Sequence, residues 1–250
     1  MDPGVRSPLI DFFRRGEVAS DVRMLAAQGA FAPRAHEQLA LLLILSDDAD
    51  ALVAATARRT IDALPAQALA RFLGRKDVPQ PMRDFFAARG IQPEEVPETA
   101  DDPLIDDGAA SDEAEDIDPR VLSTMPVVDR LKIAMRGNRE QRAQLIRDAN
   151  KMVSVAVLGS PKVTEAEVEG YARMANLSED VLRVIATNRA WVKNYNIVSA
   201  LTRNPKTPTA LAMGFLQRLN ERDLKMIAID RNASEPVRLA ARKFVSKSGR

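Results

Sequence analysis

Three asparagines, Asn176, Asn204 and Asn232, recur at equal steps of 28 residues, and one further step back lands on Asp148. Two of these stations read almost alike, Asn176-Leu-Ser178-Glu179-Asp-Val181 and Asn232-Ala-Ser234-Glu235-Pro-Val237, each followed by an Arg and then an Ala. A fixed period of this length, built from two short helical patterns, is the signature of helix pairs stacked into a solenoid. The expected fold is therefore all-α: an α-solenoid of short helix pairs.

Charge divides the chain. Residues 1–91 hold 12 Lys/Arg against 11 Asp/Glu, residues 92–119 hold 12 Asp/Glu and no Lys or Arg, and residues 120–250 hold 24 Lys/Arg against 12 Asp/Glu. Two folded units are expected on either side of an acidic tether, 92–119. The tether is rich in Pro, Ala, Gly and Ser, a composition that buries too little apolar surface to offset chain entropy, so disorder is expected there.

The first unit has its own repeat, of period 30. Glu17, Asp47 and Asp77 each follow an apolar pair, Phe12-Phe13, Leu42-Leu43 and Phe72-Leu73, and each precedes an apolar position, Val22, Leu52 and Met82. Helix-start chemistry punctuates the second unit. Thr164-Glu-Ala-Glu167 is a capping box, Ser178 and Ser234 precede acids suited to the positive end of a helix dipole, and Asn220 and Thr207-Pro208 mark further starts. Between them run apolar residues at helical spacing, such as Val181, Leu182 and Ile185, or Leu211, Phe215 and Leu219. No strand alternation is evident between glycine-rich turns.

The Asp/Asn-x-Pro/Ser-x-x-Val-Arg station with its following Ala, as in residues 232–241, resembles the α-helical repeat class that includes HEAT repeats and the leucine-rich repeat variant. The resemblance covers most of 11–90 and 124–245. It implies a curved stack with one ladder of helices on its concave side, often facing a macromolecular partner, and it implies no catalytic residues. Asn204-Pro-Lys-Thr-Pro departs from the pattern by lacking the Val-Arg step.

The repeated Asn/Asp has two readings. A short polar side chain bonds its own turn and ends a helix, which equal spacing favours; alternatively, an outward ladder of asparagines reads a peptide or nucleic-acid backbone. The one tryptophan lies in Asn188-Arg189-Ala-Trp191-Val-Lys193-Asn194-Tyr195-Asn196, with Trp191 and Tyr195 spaced to share a helical face. Arg189, Trp191, Lys193, Asn194 and Tyr195, with Arg203 and Lys206 beyond, form the candidate partner-binding surface. The competing reading is that both rings fill the gap between repeats.

Chemistry is sparsely signalled. There is no cysteine and one histidine, His36, which lacks the companions a metal site needs, and neither a Walker loop nor a GxGxxG turn occurs. The acidic tether lacks the ordered spacing of a calcium loop. No catalytic, cofactor-binding or metal-binding residues are assigned, and no enzyme activity is expected. The N-terminus has no apolar leader core, and the longest strongly apolar run, Leu39 to Leu45, is far short of a membrane span, so a cytoplasmic protein without a membrane partner is expected. The leading function is a protein–protein scaffold. The alternative is nucleic-acid binding through the basic second unit. The acidic tether is expected to contact that unit and partly neutralise it in cis.

Overall fold

The computed structural model describes residues 2–30, 34–94, 104–105 and 117–248. The described residues form fifteen α-helices and no strand, in two compact units, Met1–Gly137 and Asn138–Arg250. The boundary between them falls later than the change in charge at 119/120.

In the first unit α1 (Pro8–Arg14), α3 (Ala35–Leu45) and α5 (Ala66–Leu73) alternate with α2 (Ser20–Ala27), α4 (Ala51–Asp62) and α6 (Gln80–Ala87); α7 (Val127–Arg136) follows a 3₁₀ turn at Pro119–Thr124. The apolar run that opens no membrane span is the body of α3. Leu39 to Leu43 and Leu45 are all buried, so this helix is apolar on every side because α1, α2 and α4 pack around it. The three apolar pairs, Phe12-Phe13, Leu42-Leu43 and Phe72-Leu73, are buried as their spacing predicts. Leu52 is the exception. Val22 and Met82 are third residues of their helices and buried, but α4 starts at Ala51, so Val53 takes the third place and is buried while Leu52 stands 72% exposed. One residue of register on a helix rotates a side chain by 100°, enough to turn it from core to solvent.

The second unit contains α8 (Arg139–Leu145), α9 (Lys151–Val157), α10 (Glu165–Arg173), α11 (Glu179–Thr187), α12 (Tyr195–Arg203), α13 (Thr209–Phe215), α14 (Glu221–Ile229) and α15 (Glu235–Ser248). Its helices pair through five-residue turns at 146–150, 174–178, 204–208 and 230–234. Asp148, Asn176 and Asn232 hold the third place of their turns, but Asn204 holds the first and Lys206 the third. The equal step of 28 therefore averages one interval two residues longer and one two shorter, and Asn204 is structurally the odd member.

Capping residues behave as their chemistry requires. Thr164 Oγ1 accepts from the Glu167 amide while Glu167 Oε2 accepts from the Thr164 amide, and Ser178 and Asn220 accept from Val181 and Asp223. A second capping box, Asn138 with Gln141, opens α8. The same type of turn occurs in each unit. Asp48 accepts from the Asp50 amide at 2.8 Å and Asp50 from Leu52 at 2.9 Å; Asp148 accepts from Asn150 at 2.8 Å and Asn150 from Met152 at 2.9 Å. These Asx turns each close one helix and cap the next.

Most of the tether lies outside the described residues, and with it the expectation of disorder. Among its described residues, the Glu94 amide donates to Ala70 O at 2.9 Å, and Leu104 and Ile105 bond to Gln38 of α3. No described helix is long and apolar enough to cross a membrane.

Candidate binding groove on the second unit

The second unit is tied together by two buried polar devices. Arg142 Nη2 and Nε reach Glu167 at 2.9–3.1 Å, with both side chains 4% exposed, and Arg142 Nη2 also donates to Lys162 O at 3.2 Å. Burial alone would push Glu167 up, but the Thr164 amide, Arg142 and the Thr164 hydroxyl more than offset it and hold the carboxyl below its usual value. Burial and the adjacent Glu167 charge push the Tyr171 phenol up to about 12. The second device is Asn204. Its Nδ2 donates to Ala172 O at 2.8 Å and Met174 O at 2.9 Å, while its Oδ1 accepts from Lys206. One buried amide thus satisfies carbonyls at the end of α10 and closes the turn after α12, the service that helix ends demand.

Asn204 lines an open groove of about 430 Å³. The floor is a single stripe of α12, with Asn196, Ser199, Ala200 and Arg203 at i, i+3, i+4 and i+7. Ile197, Val198, Leu201 and Thr202 on the opposite face of α12 are buried, and Ala200 at the base of the stripe is buried too, so Asn196, Ser199 and Arg203 are the side chains of this amphipathic helix that reach the groove. Arg173 and Ala175 from the end of α10 line the groove, as do Asp230 and Asn232 from the turn after α14.

The charges around the groove are largely matched. Arg203 donates to Asp223 Oδ1 at 2.6 Å, the Tyr195 hydroxyl donates to Asp223 Oδ2, and Arg173 pairs with Glu169. Burial, reinforced by Asp223 accepting its proton, pushes the Tyr195 phenol up. Asn196 Nδ2 donates to Glu169 Oε2 at 3.4 Å, and Asn194 Nδ2 to Glu165 Oε2 at 3.2 Å. Arg203 Nε is buried without an acceptor among the described residues.

Of the seven residues singled out by sequence, Arg203 lines this groove. Tyr195 joins it through Asp223, and Asn194 caps the start of α12, accepting from the Asn196 amide at 2.9 Å. Trp191 and Tyr195 do not share a helical face. Trp191 begins a 3₁₀ turn, Trp191–Lys193, and Asn194 is extended, so Tyr195 starts a new helix. Trp191 is half-buried, Arg189, Lys193 and Lys206 are exposed, and Tyr195 is 39% exposed. Sequence reasoning missed Asn196, Ser199 and Arg173. The outward stripe of α12 was legible in principle, because its polar spacing complements the buried apolar one. Of the three station asparagines, Asn204 is buried while Asn176 and Asn232 are exposed, so no uniform ladder forms.

His36 sits edge-on to Phe72, ring centroids 4.7 Å apart, with Nε2 3.7 Å from Asp77 Oδ1. Among the described residues no cluster of three His, Asp or Glu is placed to hold a metal ion. In comparison with known proteins, no family model, no curated protein and no solved structure matches the chain.

Proposed function

We propose that the protein is a non-catalytic scaffold of the HEAT-like class whose second unit holds a segment of another protein in the α12 groove. Stacking of helix pairs is supported by contacts between helices two apart in sequence: α1 with α3 and α2 with α4 in the first unit, and α9 with α11, α10 with α12 and α13 with α15 in the second. The observation that carries the partner is the lining of the groove. Asn196 and Asn232 each bring an amide N–H and a carbonyl oxygen to the groove, which is what a peptide backbone requires, although one Asn196 N–H is shared with Glu169, and the small Ser199 and Ala200 leave room for it to approach.

The same lining weighs against nucleic acid as the partner. Phosphate recognition needs cations free to release counterions. Here both cations of the lining, Arg173 and Arg203, are paired with carboxylates, Asp230 adds an acid to the groove, and Arg183, Lys225 and Lys151 elsewhere in the unit are paired as well. The surplus of Lys/Arg in 120–250 is thus partly committed to intramolecular pairs.

The test is selection of peptides from a displayed random library on the full chain, followed by affinity measurement against Ser199→Trp, which plugs the groove, and Asn196→Ala/Asn232→Ala. The expected result is binding that falls at least about tenfold in both variants, the effect of losing one or two good hydrogen bonds. Peptides that bind the plugged variant equally well refute the reading. The nucleic-acid alternative gains instead if Arg189→Ala and Lys193→Ala each lower the salt slope of nucleic-acid binding by about one unit.

A further inference from the structure

Gln38 is a polar side chain in the first turn of α3, at the head of its buried apolar run, and is 1% exposed. Burying an amide is costly unless its donors and acceptor are bonded. Three of its bonds go to two residues of the tether, 66 and 67 positions away: Oε1 accepts from the Leu104 amide at 2.8 Å and from the Ile105 amide at 3.0 Å, and Nε2 donates to Ile105 O at 3.0 Å. The fourth runs from Nε2 to Gly29 O at 2.8 Å and fixes the amide in place.

Gly29 completes the seat. Its φ of +91° follows the end of α2, and a Cβ there would lie 2.6 Å from Ile105 Cδ1. The missing side chain is the space that Ile105 fills. Beside the dipeptide runs a groove of about 470 Å³ lined by Gln28, Thr56, Arg59, Thr60, Ala63 and Pro65 together with Leu104 and Ile105. In sequence the Leu104–Ile105 dipeptide stands within Asp101-Asp102-Pro103-Leu104-Ile105-Asp106-Asp107, with two acids on each side, and the groove that Leu104 and Ile105 line carries Arg59.

We propose that the first unit carries a peptide-docking site, centred on Gln38 and Gly29, for an acid-flanked pair of aliphatic residues whose two consecutive amides converge on one oxygen, and that the tether's Leu104–Ile105 fills it in cis. The recognition is of main chain first, since all three tether bonds of Gln38 involve backbone atoms, and of an aliphatic side chain second, through the space over Gly29. Without the dipeptide Gln38 keeps the Gly29 bond and loses the other three, so an empty site binds a replacement of the same chemistry. The tether therefore acts as a built-in competitor that another protein's segment must displace.

The probe is a fluorescein-labelled peptide of residues 100–109, titrated into the full chain. The Leu104→Ser/Ile105→Ser chain is expected to bind it at least tenfold more tightly than the unaltered chain, and adding Gln38→Leu to that chain is expected to lower binding at least tenfold. Gln38→Leu keeps the shape and apolar character of α3, so its effect reports the lost amide. Equal binding by the unaltered and the released chains, or no effect of Gln38→Leu, overturns the proposal. Hydrogen exchange on the unaltered chain gives a reading independent of any variant: the Leu104 and Ile105 amides are expected to exchange at least tenfold more slowly than free peptide, and free-peptide rates overturn it. A solution mass of two chains that falls to one in the Leu104→Ser/Ile105→Ser variant would show exchange of tethers between copies and overturn the cis assignment.

Discussion

Replacing Arg142 by methionine removes the cation from the most deeply buried ion pair of the second unit. Both partners are 4% exposed, so neither can turn to water when the other is deleted. Glu167 then keeps the Thr164 amide at 3.0 Å and hydroxyl at 2.9 Å on Oε2, but Oε1 is left with the Tyr171 hydroxyl at 3.4 Å. Breaking a buried pair from one side costs about 3–5 kcal/mol, and the bonds that survive on Oε2 place this case near about 3 kcal/mol. Urea unfolding followed through Trp191, the chain's one tryptophan and a residue of the second unit, isolates the effect. With a slope of about 1–3 kcal/mol per molar urea, the midpoint should fall by about 1–3 M. The pH dependence carries the sign. Glu167 is held below its ordinary value of 4.5, so its contribution is present above that value and is lost as pH falls below it. The deficit of Arg142→Met should accordingly be largest at neutral pH and shrink below about pH 4.5, and Arg142→Met/Glu167→Gln, which keeps an acceptor for the Thr164 amide without the charge, should recover a substantial part of it. A neutral-pH loss under about 1 kcal/mol, the range of exposed pairs, would refute the reasoning.

Two further outcomes are expected. Tyr171, with its phenol raised from 10.0 to about 12, contributes stability that is complete below pH 10 and lost as pH rises toward 12; Tyr171→Phe should flatten the alkaline limb of a Trp191-monitored unfolding profile, and an unchanged limb would contradict the assignment. Asn204→Ala strips the Ala172 and Met174 carbonyls of their donor and should cost about 2 kcal/mol in the same assay, whereas Asn176→Ala, at an exposed turn position, should stay within about 0.5 kcal/mol; equal losses would restore the uniform ladder that the structure does not show.

Much of the helical framework was legible because it is written in local chemistry. Caps, turns and apolar spacing act over three to five residues, so Thr164 with Glu167, Ser178 and Asn220 each do what their immediate neighbours require. The limits of that reading appear where one or two residues of register matter. Leu52 and Val53 are indistinguishable as apolar residues, and only the start of α4 at Ala51 decides which is buried. Asn204 fits a step of 28 as well as Asn176 and Asn232 do, yet its place in the turn sends it inward to α10.

By itself, then, the sequence determined that the chain is helical, that its helices are short and capped and that an acidic stretch separates two parts of different charge, because periodicity, capping and charge are properties of contiguous residues. Only the tertiary structure decided which polar groups meet. Arg142 lies 25 residues from Glu167, Gln38 lies 66 from Leu104, and the groove draws on three helix ends. A charged or amide side chain carries no mark of its distant partner; burial of the pair, and the cost of leaving either member unsatisfied in a dry interior, makes the choice when the chain folds.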